Sequence, residues 1–189
     1  AWPQIEPLAR YLGTQASLLA TDSGGQSFDE CFSLVWWQLQ QRFGKRFPIA
    51  LGCCAVTVEL RGQADVSHDL ARQDAQAILD YLTHAAVIEG PAPALPALPR
   101  AATPLAAVEP VTAALGGLLV YHAKPGDYLA AGQLIAEVID PLSDRVTALR
   151  NTQPGLMYAR STRRMATAGM VIAHVAGEQV CRSGYLLGN

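Results

Sequence analysis

Apolar residues recur at helical spacing through most of the first ninety positions. Residues 3–12 place them on one side of a helix, and a longer stripe with a period near 3.6 covers 28–43, where Gly44 ends it. A third pattern covers 67–82, with Ser67 placed to cap its first turn. The spacing therefore predicts three helices.

Two apolar runs between these helices predict strands instead. ASLLA at 16–20 is short and apolar, while CCAVTVEL at 53–60 is a continuous, β-branched run of the kind that is buried on both faces of a sheet. The alternation of helix and strand predicts an α/β layer architecture over residues 1–90.

The glycine loop DSGGQS at 22–27 precedes the second helix. Ser27 and Glu30 fit the S-x-x-E capping box. A glycine-rich loop that opens a helix can also cradle a phosphate, but this one lacks the Lys of a P-loop and the spacing of a dinucleotide fingerprint. We therefore favour a structural turn followed by a capped helix.

The composition changes at residue 91. Five prolines between 91 and 106 indicate a semi-rigid linker or a strap on the surface. Residues 107–176 then contain an internal repeat: AGQLIAEV at 131–138 is echoed by AGMVIAHV at 168–175, at an offset of 37 residues. Two copies predict a pseudo-two-fold β barrel or sandwich, with residues 177–189 as a tail.

Composition and charge exclude several classes. Half of the residues are hydrophobic, 16% are charged and the net charge is −2, so the chain is globular and has no basic face for nucleic acid or an anionic membrane. No apolar stretch approaches the roughly 20 residues that span a bilayer. The four cysteines follow no metal-binding pattern, so we expect buried, reduced thiols and a cytoplasmic location.

Glu59 is the strongest candidate for chemistry. It ends the predicted buried strand, and ligands of open α/β sheets bind at the carboxyl ends of strands. A partly desolvated carboxylate there suits general-base catalysis. The alternative, which the pattern alone favours, is a structural ion pair with Arg61 or another cation. The four histidines are scattered, without any HxxE, HxxH or HxH pair, and predict no metal site.

Several blocks resemble a known family. TDSGGQSFDECFSLVWW, AVTVELRGQADVS and LDYLTHAAVIEG are similar to consecutive blocks of the succinylglutamate desuccinylase/aspartoacylase family, within the zinc carboxypeptidase-like superfamily. The two repeat halves resemble the C-terminal β-domain of those proteins and the biotinyl/lipoyl barrel-sandwich fold. The resemblance covers nearly the whole chain, and the T-V-E-L-R-G block is specific for the family when it is combined with such a β-domain.

The resemblance implies a zinc-dependent deacylase that acts on an N-acyl amino acid or related amide. Glu59 takes the place of the general base that activates water, and Arg61 and Ser23 are candidates for substrate binding. The family holds one zinc ion through an HxxE pair and a later histidine. No such ligands occur in this chain, so they are expected upstream of Ala1, and residues 1–189 alone are expected to be inactive. A homo-oligomer is possible.

Two other classes remain open. A swinging-arm carrier needs a modified Lys at the hairpin between the repeat halves, but that junction reads DPLSDR at 140–145, and the chain's lysines are Lys45 and Lys124. A non-catalytic structural or oligomerisation module fits the β-domain but leaves Glu59 unexplained.

Overall fold

The computed structural model describes residues 2–187 and separates them into two units. The first comprises residues 2–17 and 21–101, and the second comprises 18–20 and 102–187. The boundary lies inside the proline-rich stretch. Within the described residues, no helix has the length and apolarity that crossing a membrane requires.

Three helices form at the positions that the apolar spacing predicts. They are α1 (Trp2–Leu12), α2 (Phe28–Phe43) and α3 (His68–His84). The Ser67 hydroxyl accepts a hydrogen bond from the Leu70 N–H at 3.2 Å, which confirms the predicted cap of α3. The three predicted helices are thus confirmed.

Helices α1 and α3 pack against each other and carry the proline-rich stretch. The Tyr11 ring meets the His84 ring edge-on at a centroid distance of 5.8 Å. The Tyr11 hydroxyl also donates to the Pro93 carbonyl at 2.8 Å, and the Arg10 guanidinium donates to the Pro96 carbonyl. The part of this stretch that belongs to the first unit, residues 91–101, is therefore a strap held by side chains of α1.

The predicted buried strand at 53–60 is wrong. Residues 53–60 have no regular secondary structure, and Val56, Val58 and Leu60 are 43%, 45% and 54% exposed. The physical reason is that a strand needs a neighbour with which to share backbone hydrogen bonds, and the described part of the first unit contains no strand. The α/β layer predicted over residues 1–90 is consequently not formed by these residues.

The apolar stripe of α2 is also exposed in the described part of the chain. Phe28 is 80% exposed, and Phe32 and Val35 are about half exposed. The expectation of buried thiols is also wrong, because three of the four cysteines are exposed: Cys31, Cys54 and Cys181.

The second unit is built from short strands and one 3-10 helix (Leu105–Ala107). The strands are β1 (Leu18–Leu19), β2 (Thr103–Pro104), β3 (Val108–Thr112), β4 (Gly117–Tyr121), β5 (Tyr128–Leu129), β6 (Leu134–Ile139), β7 (Val146–Arg150), β8 (Gly155–Arg160), β9 (Met165–Ala166) and β10 (Val171–Gly177). β1 pairs with β2 in parallel, so the predicted strand at 16–20 forms as a two-residue strand.

The repeat predicted from the sequence organises the remaining strands. One sheet has the order β3-β10-β8-β5 and the other β7-β6-β4-β9, all antiparallel. In the repeat, β3 corresponds to β7, β4 to β8, β5 to β9 and β6 to β10. Exchanging each strand for its counterpart converts the order of one sheet into that of the other. Each sheet takes two strands from each half, so neither half completes a sheet alone. The sheets stay separate, and no closed barrel forms among the described residues.

One core fills the space between the two sheets. It is made of buried apolar side chains from both halves: Val111, Ala113, Leu119, Ala123, Leu129, Ile135, Ala136, Val138, Leu149, Met157, Ala166, Ile172, Ala173 and Val175. Burying a Leu or Ile side chain contributes about 1.5–3 kcal/mol, so this shared core couples the halves.

Gly117 and Gly155 occupy equivalent positions in the two halves, at the starts of β4 and β8. A Cβ added to Gly117 would lie 2.5 Å from the Ile139 carbonyl oxygen, and one added to Gly155 would lie 2.4 Å from that of Ala176. Both contacts are with backbone atoms of the neighbouring strand. Glycine is therefore required at both positions by the close approach of paired strands.

Candidate functional site

Glu59 lies on the exposed segment that follows α2 rather than at the end of a buried strand. Among residues 2–187, no hydrogen-bond donor or cation is paired with its carboxylate. Val56, Val58 and Leu60 alternate with Glu59 along this segment, so an extended backbone directs Glu59 to the opposite side from them. The partial desolvation expected for a general base is not provided by the described residues.

Arg61 pairs with Asp74 of α3 and not with Glu59. Its Nη1 donates to Asp74 Oδ2 at 2.7 Å and its Nη2 donates to Oδ1 at 3.0 Å, a bidentate arrangement. This hydrogen bonding raises the pKa of the Arg61 guanidinium and lowers the pKa of the Asp74 carboxyl. The structural ion pair between Glu59 and Arg61 is thus absent, and Arg61 instead fixes its own end of the segment to α3.

The turn after Arg61 is held by local hydrogen bonds. The Gly62 N–H donates to the Asp65 carboxylate at 2.9 Å, and the Asp65 N–H donates to the Gly62 carbonyl at 2.9 Å. Glu59 therefore lies two residues before an anchored point. Asp74 was missed in the sequence, because residues 61 and 74 are 13 positions apart and no local pattern links them.

Ser23 is fully buried, and the capping box predicted for Ser27 and Glu30 does not form. The Ser27 side chain makes no cap hydrogen bond; its hydroxyl donates to Asp29 Oδ1 at 2.6 Å. Glu30 Oε1 accepts from the Ser23 N–H at 2.5 Å, so Glu30 closes the glycine loop instead of reaching the N-terminus of α2. The S-x-x-E spacing from Ser27 drew attention to Glu30 in the sequence. The partner predicted from that spacing was Ser27, whereas the observed partner is the Ser23 N–H.

No hydrogen bond or ion pair joins Glu59, Arg61 and Ser23 to one another in the described part of the chain. The structure therefore does not bring the three sequence-predicted site residues into direct contact.

The described residues do not fit a zinc ion. No group of three His, Cys, Asp or Glu side chains among residues 2–187 could hold a metal. Catalytic zinc needs three protein ligands. The ring of His84 contacts Tyr11, that of His122 pairs with Glu137 at 2.8 Å, and that of His174 stacks on Tyr158.

Solved structures with the same fold were found. A succinylglutamate desuccinylase/aspartoacylase family protein from Shewanella amazonensis SB2B matches with a TM-score of 0.76 and 24% identity, over 89% of this chain and 47% of that one. A succinylglutamate desuccinylase/aspartoacylase from Shewanella frigidimarina NCIMB 400 matches with a TM-score of 0.76 and 22% identity, over 90% and 47%. A succinylglutamate desuccinylase from Silicibacter sp. TM1040 matches with a TM-score of 0.60 and 16% identity, over 94% of this chain and 48% of that one.

These matches establish the fold of the chain, a mixed α and β fold shared with those proteins. The resemblance seen in the sequence is thereby confirmed at the level of fold. The chain spans about half the length of each of these structures. No protein-family model matches the sequence, and neither does any curated protein.

Proposed function

We propose that this chain belongs to the succinylglutamate desuccinylase/aspartoacylase family and forms part of an enzyme that hydrolyses the amide bond of an N-acyl amino acid or a related amine. The observation that carries the proposal is the shared fold, with a TM-score of 0.76 over 89% of the chain. The T-V-E-L-R-G block that contains Glu59 and Arg61 supports it in combination with the repeat in the second unit.

Glu59 is the proposed general base. Its carboxylate accepts a proton from a water molecule while the water oxygen bonds to the acyl carbon. The carbon–nitrogen bond then breaks, and the proton passes to the leaving nitrogen, which departs as a free amine. The other product is the carboxylic acid. General-base assistance of this kind contributes about 10²–10⁴-fold to a rate.

Arg61 is proposed to position Glu59 and secondarily to bind substrate. Two of its five N–H donors are used by Asp74, so the remaining donors are free to meet a substrate carboxylate without breaking the pair. Ser23 is fully buried. It is therefore proposed to act through the shape of the glycine loop rather than by direct contact with substrate.

A zinc ion is part of the proposal, with its ligands supplied from outside residues 2–187, because the described residues do not form a site for it. Zinc would supply Lewis-acid polarisation of the amide carbonyl. It follows that residues 1–189 alone should not be competent. The cytoplasmic location and the possible homo-oligomer stay predictions.

We also propose that the second unit is related to the biotinyl/lipoyl barrel-sandwich, on the basis of its paired four-stranded sheets. A carrier function is not favoured by this relationship. The turn between β6 and β7 presents Leu142, which is 95% exposed, where a carrier would present Lys. Lys124 lies in another turn, where its N–H is bound by Asp127 at 3.0 Å.

The test is hydrolysis by the product of the complete reading frame. With zinc added, it is incubated with N-succinylglutamate, N-acetylaspartate and other N-acyl amino acids, and the released amine is measured. We expect release from at least one substrate, loss of release with a chelator, and none from residues 1–189 alone. If no N-acyl amino acid is hydrolysed by the folded, zinc-supplied protein, the deacylase proposal is wrong.

A further inference from the structure

An apolar row crosses the outer face of the sheet β7-β6-β4-β9 in the second unit. Direct cross-strand pairing places its four members side by side, one on each strand: Met165, Leu118, Ile139 and Val146. None of them belongs to the core between the two sheets, because side chains alternate along a strand and these point outward. Leu118, Val146 and Met165 are 42%, 52% and 55% exposed. Adjacent exposed apolar side chains across a whole sheet are typical of an interaction surface.

The internal repeat places an equivalent row on the other sheet, and there the row is covered. Cross-strand pairs align its members in the same way: Tyr128, Leu156, Ala176 and Val108. These residues also lie outside the core between the sheets, yet Leu156 is only 4% exposed and Val108 only 1%. Most of the row is therefore buried in one half of the repeat, whereas its counterpart is exposed.

The segment that follows β10 provides the cover on that sheet. At one end of the row, the Tyr128 hydroxyl donates to the Glu178 carboxylate at 2.9 Å. Near the other end, the Cys181 N–H donates to the Ala106 carbonyl at 3.0 Å. Residues 140–145, which follow β6 in the corresponding place, form only the turn to β7. The exposed row therefore has no such cover from the chain that follows it.

One corner of the exposed face is positively charged. Arg163 and Arg164 directly precede Met165 and are exposed. The Arg164 carbonyl accepts from the Leu119 N–H at 2.7 Å, so the two arginines lie beside the later residues of β4. Within residues 2–187, neither guanidinium forms an ion pair.

The opposite corner is negatively charged. Because β6 runs antiparallel to β4, the turn after β6 lies beyond the first residue of β4. This turn carries Asp140, Asp144 and Arg145, and two acids with one arginine give a net charge of −1. Elsewhere on the face, Glu137 pairs with His122 at 2.8 Å. The charges that remain for a partner therefore have opposite signs at opposite corners.

We propose that this face binds a second copy of the chain and forms an isologous two-fold dimer. The axis lies between the two stacked faces, along the diagonal that separates the charged corners. The arginines of each copy then meet the acids of the other, and the two apolar rows cover each other. The strands of the two copies cross at a steep angle, as in orthogonal sheet packing. The surface does not depend on the proposed deacylase activity.

The size of the face predicts a reversible dimer. Four strands of about five residues cover roughly 15 Å by 17 Å, which is less than the interface of a permanent dimer. We expect a dissociation constant of about 10–100 µM, measured by sedimentation equilibrium of the 189-residue chain between about 5 and 500 µM.

Substitutions in the row test whether this face is the interface. Leu118→Asp and Met165→Asp each place a charge among apolar side chains and should weaken dimerisation at least about tenfold. Both positions are exposed, so each monomer should remain folded. Phe28→Asp is the matched control, at an exposed apolar residue of α2, and should leave dimerisation unchanged.

A charge variant tests the orientation of the two copies. Arg163→Glu combined with Arg164→Glu places like charges opposite the acids of the second copy and should weaken dimerisation at least about tenfold at low salt. Raising sodium chloride from about 0.05 to 0.5 M should reduce the difference between this variant and the parent, since salt screens exposed charges.

Circular dichroism checks that each variant is folded. A folded parent that stays monomeric up to about 500 µM, or that grows beyond a dimer, would overturn the proposal. Association that is lost in Phe28→Asp and retained in Leu118→Asp would also overturn it and assign the contact to α2. The assay measures association and not hydrolysis, so its failure is distinguishable from failure of the deacylase proposal.

Discussion

Arg61 and Asp74 face each other in a bidentate pair, with N–O distances of 2.7 and 3.0 Å, across 13 residues of sequence. The pair joins the segment that carries Glu59 to helix α3. This contact, rather than an ion pair with Glu59, determines where the end of the T-V-E-L-R-G block lies.

The Arg61–Asp74 pair should contribute stability that depends on pH. The pKa of Asp74 is lowered in the folded state, mainly by its hydrogen bond to Arg61. Its contribution is therefore present above the unfolded pKa of about 3.9 and is lost as the pH falls through the lower folded value. We expect Asp74→Asn to lower the thermal midpoint at pH 7 and to match the parent increasingly closely as the pH falls below about 4.

The exposed pair of Asp69 and Arg72 is the control for this measurement. Asp69→Asn should change the midpoint at pH 7 less than Asp74→Asn does, since exposed pairs contribute little. If the thermal midpoint of Asp74→Asn lies below that of the parent by the same amount in acid as at pH 7, the pair does not stabilise the fold through the charge of Asp74.

Glu59→Gln should impair turnover in the complete protein. The substitution keeps the shape and removes the ability to accept a proton, so kcat should fall by at least about 10²-fold with KM little changed. Zinc content should not change, because Glu59 is not a proposed ligand. Steady-state kinetics and elemental analysis are the measurements, and Glu89→Gln, at an exposed acid outside the T-V-E-L-R-G block, is the control. Normal turnover in a folded Glu59→Gln protein would show that another residue is the general base.

Alanine at Gly155 or Gly117 should destabilise the second unit. The added Cβ would lie 2.4 Å or 2.5 Å from a carbonyl oxygen of the neighbouring strand, and backbone cannot move aside cheaply. We expect a loss of about 3 kcal/mol, the upper end for overpacking. Chemical denaturation provides the measurement.

Gly116 is the matched control, directly adjacent to Gly117. A Cβ there would lie 3.5 Å from the Ala166 carbonyl oxygen, an ordinary contact. Gly116→Ala should cost much less than Gly117→Ala, and equal losses would contradict the close-approach explanation.

His174 should titrate below its usual pKa of about 6.5. Burial lowers the pKa of His174, and Arg182 lowers it further. The ring stacks on Tyr158 at a centroid distance of 5.8 Å, and burial raises the pKa of Tyr158 to about 12. NMR titration of the His174 ring should give a midpoint below 6.5, and Arg182→Gln should raise that midpoint without restoring it fully.

The same shift predicts how stability depends on pH. Because the folded state disfavours the charged ring, stability is complete above about pH 6.5 and falls as the pH drops from there through the folded pKa. His174→Phe keeps a ring against Tyr158 and should remove this fall in stability below about pH 6.5. A step of the same size in the variant would assign the pH dependence to another group.

The sequence predicted the elements that depend on local interactions. Helix hydrogen bonds join residues four apart, so the spacing of apolar residues was sufficient to place α1, α2 and α3. The internal repeat was equally visible, because AGQLIAEV and AGMVIAHV share the same order of small, glycine and apolar residues at an offset of 37 positions. The resemblance of the T-V-E-L-R-G block, taken together with that of the two repeat halves, was sufficient to anticipate the fold.

Tertiary structure decided everything that needed a distant partner. Val56 and Val58 have strong β propensity, but a strand forms only where another strand supplies hydrogen bonds, and the described residues supply none to them. Strand exchange between the repeat halves, the partner of Arg61 and the contact of Glu30 with Ser23 likewise depend on which groups meet in space. Sequence spacing determines which face a side chain occupies, whereas only the packed chain determines what lies opposite it.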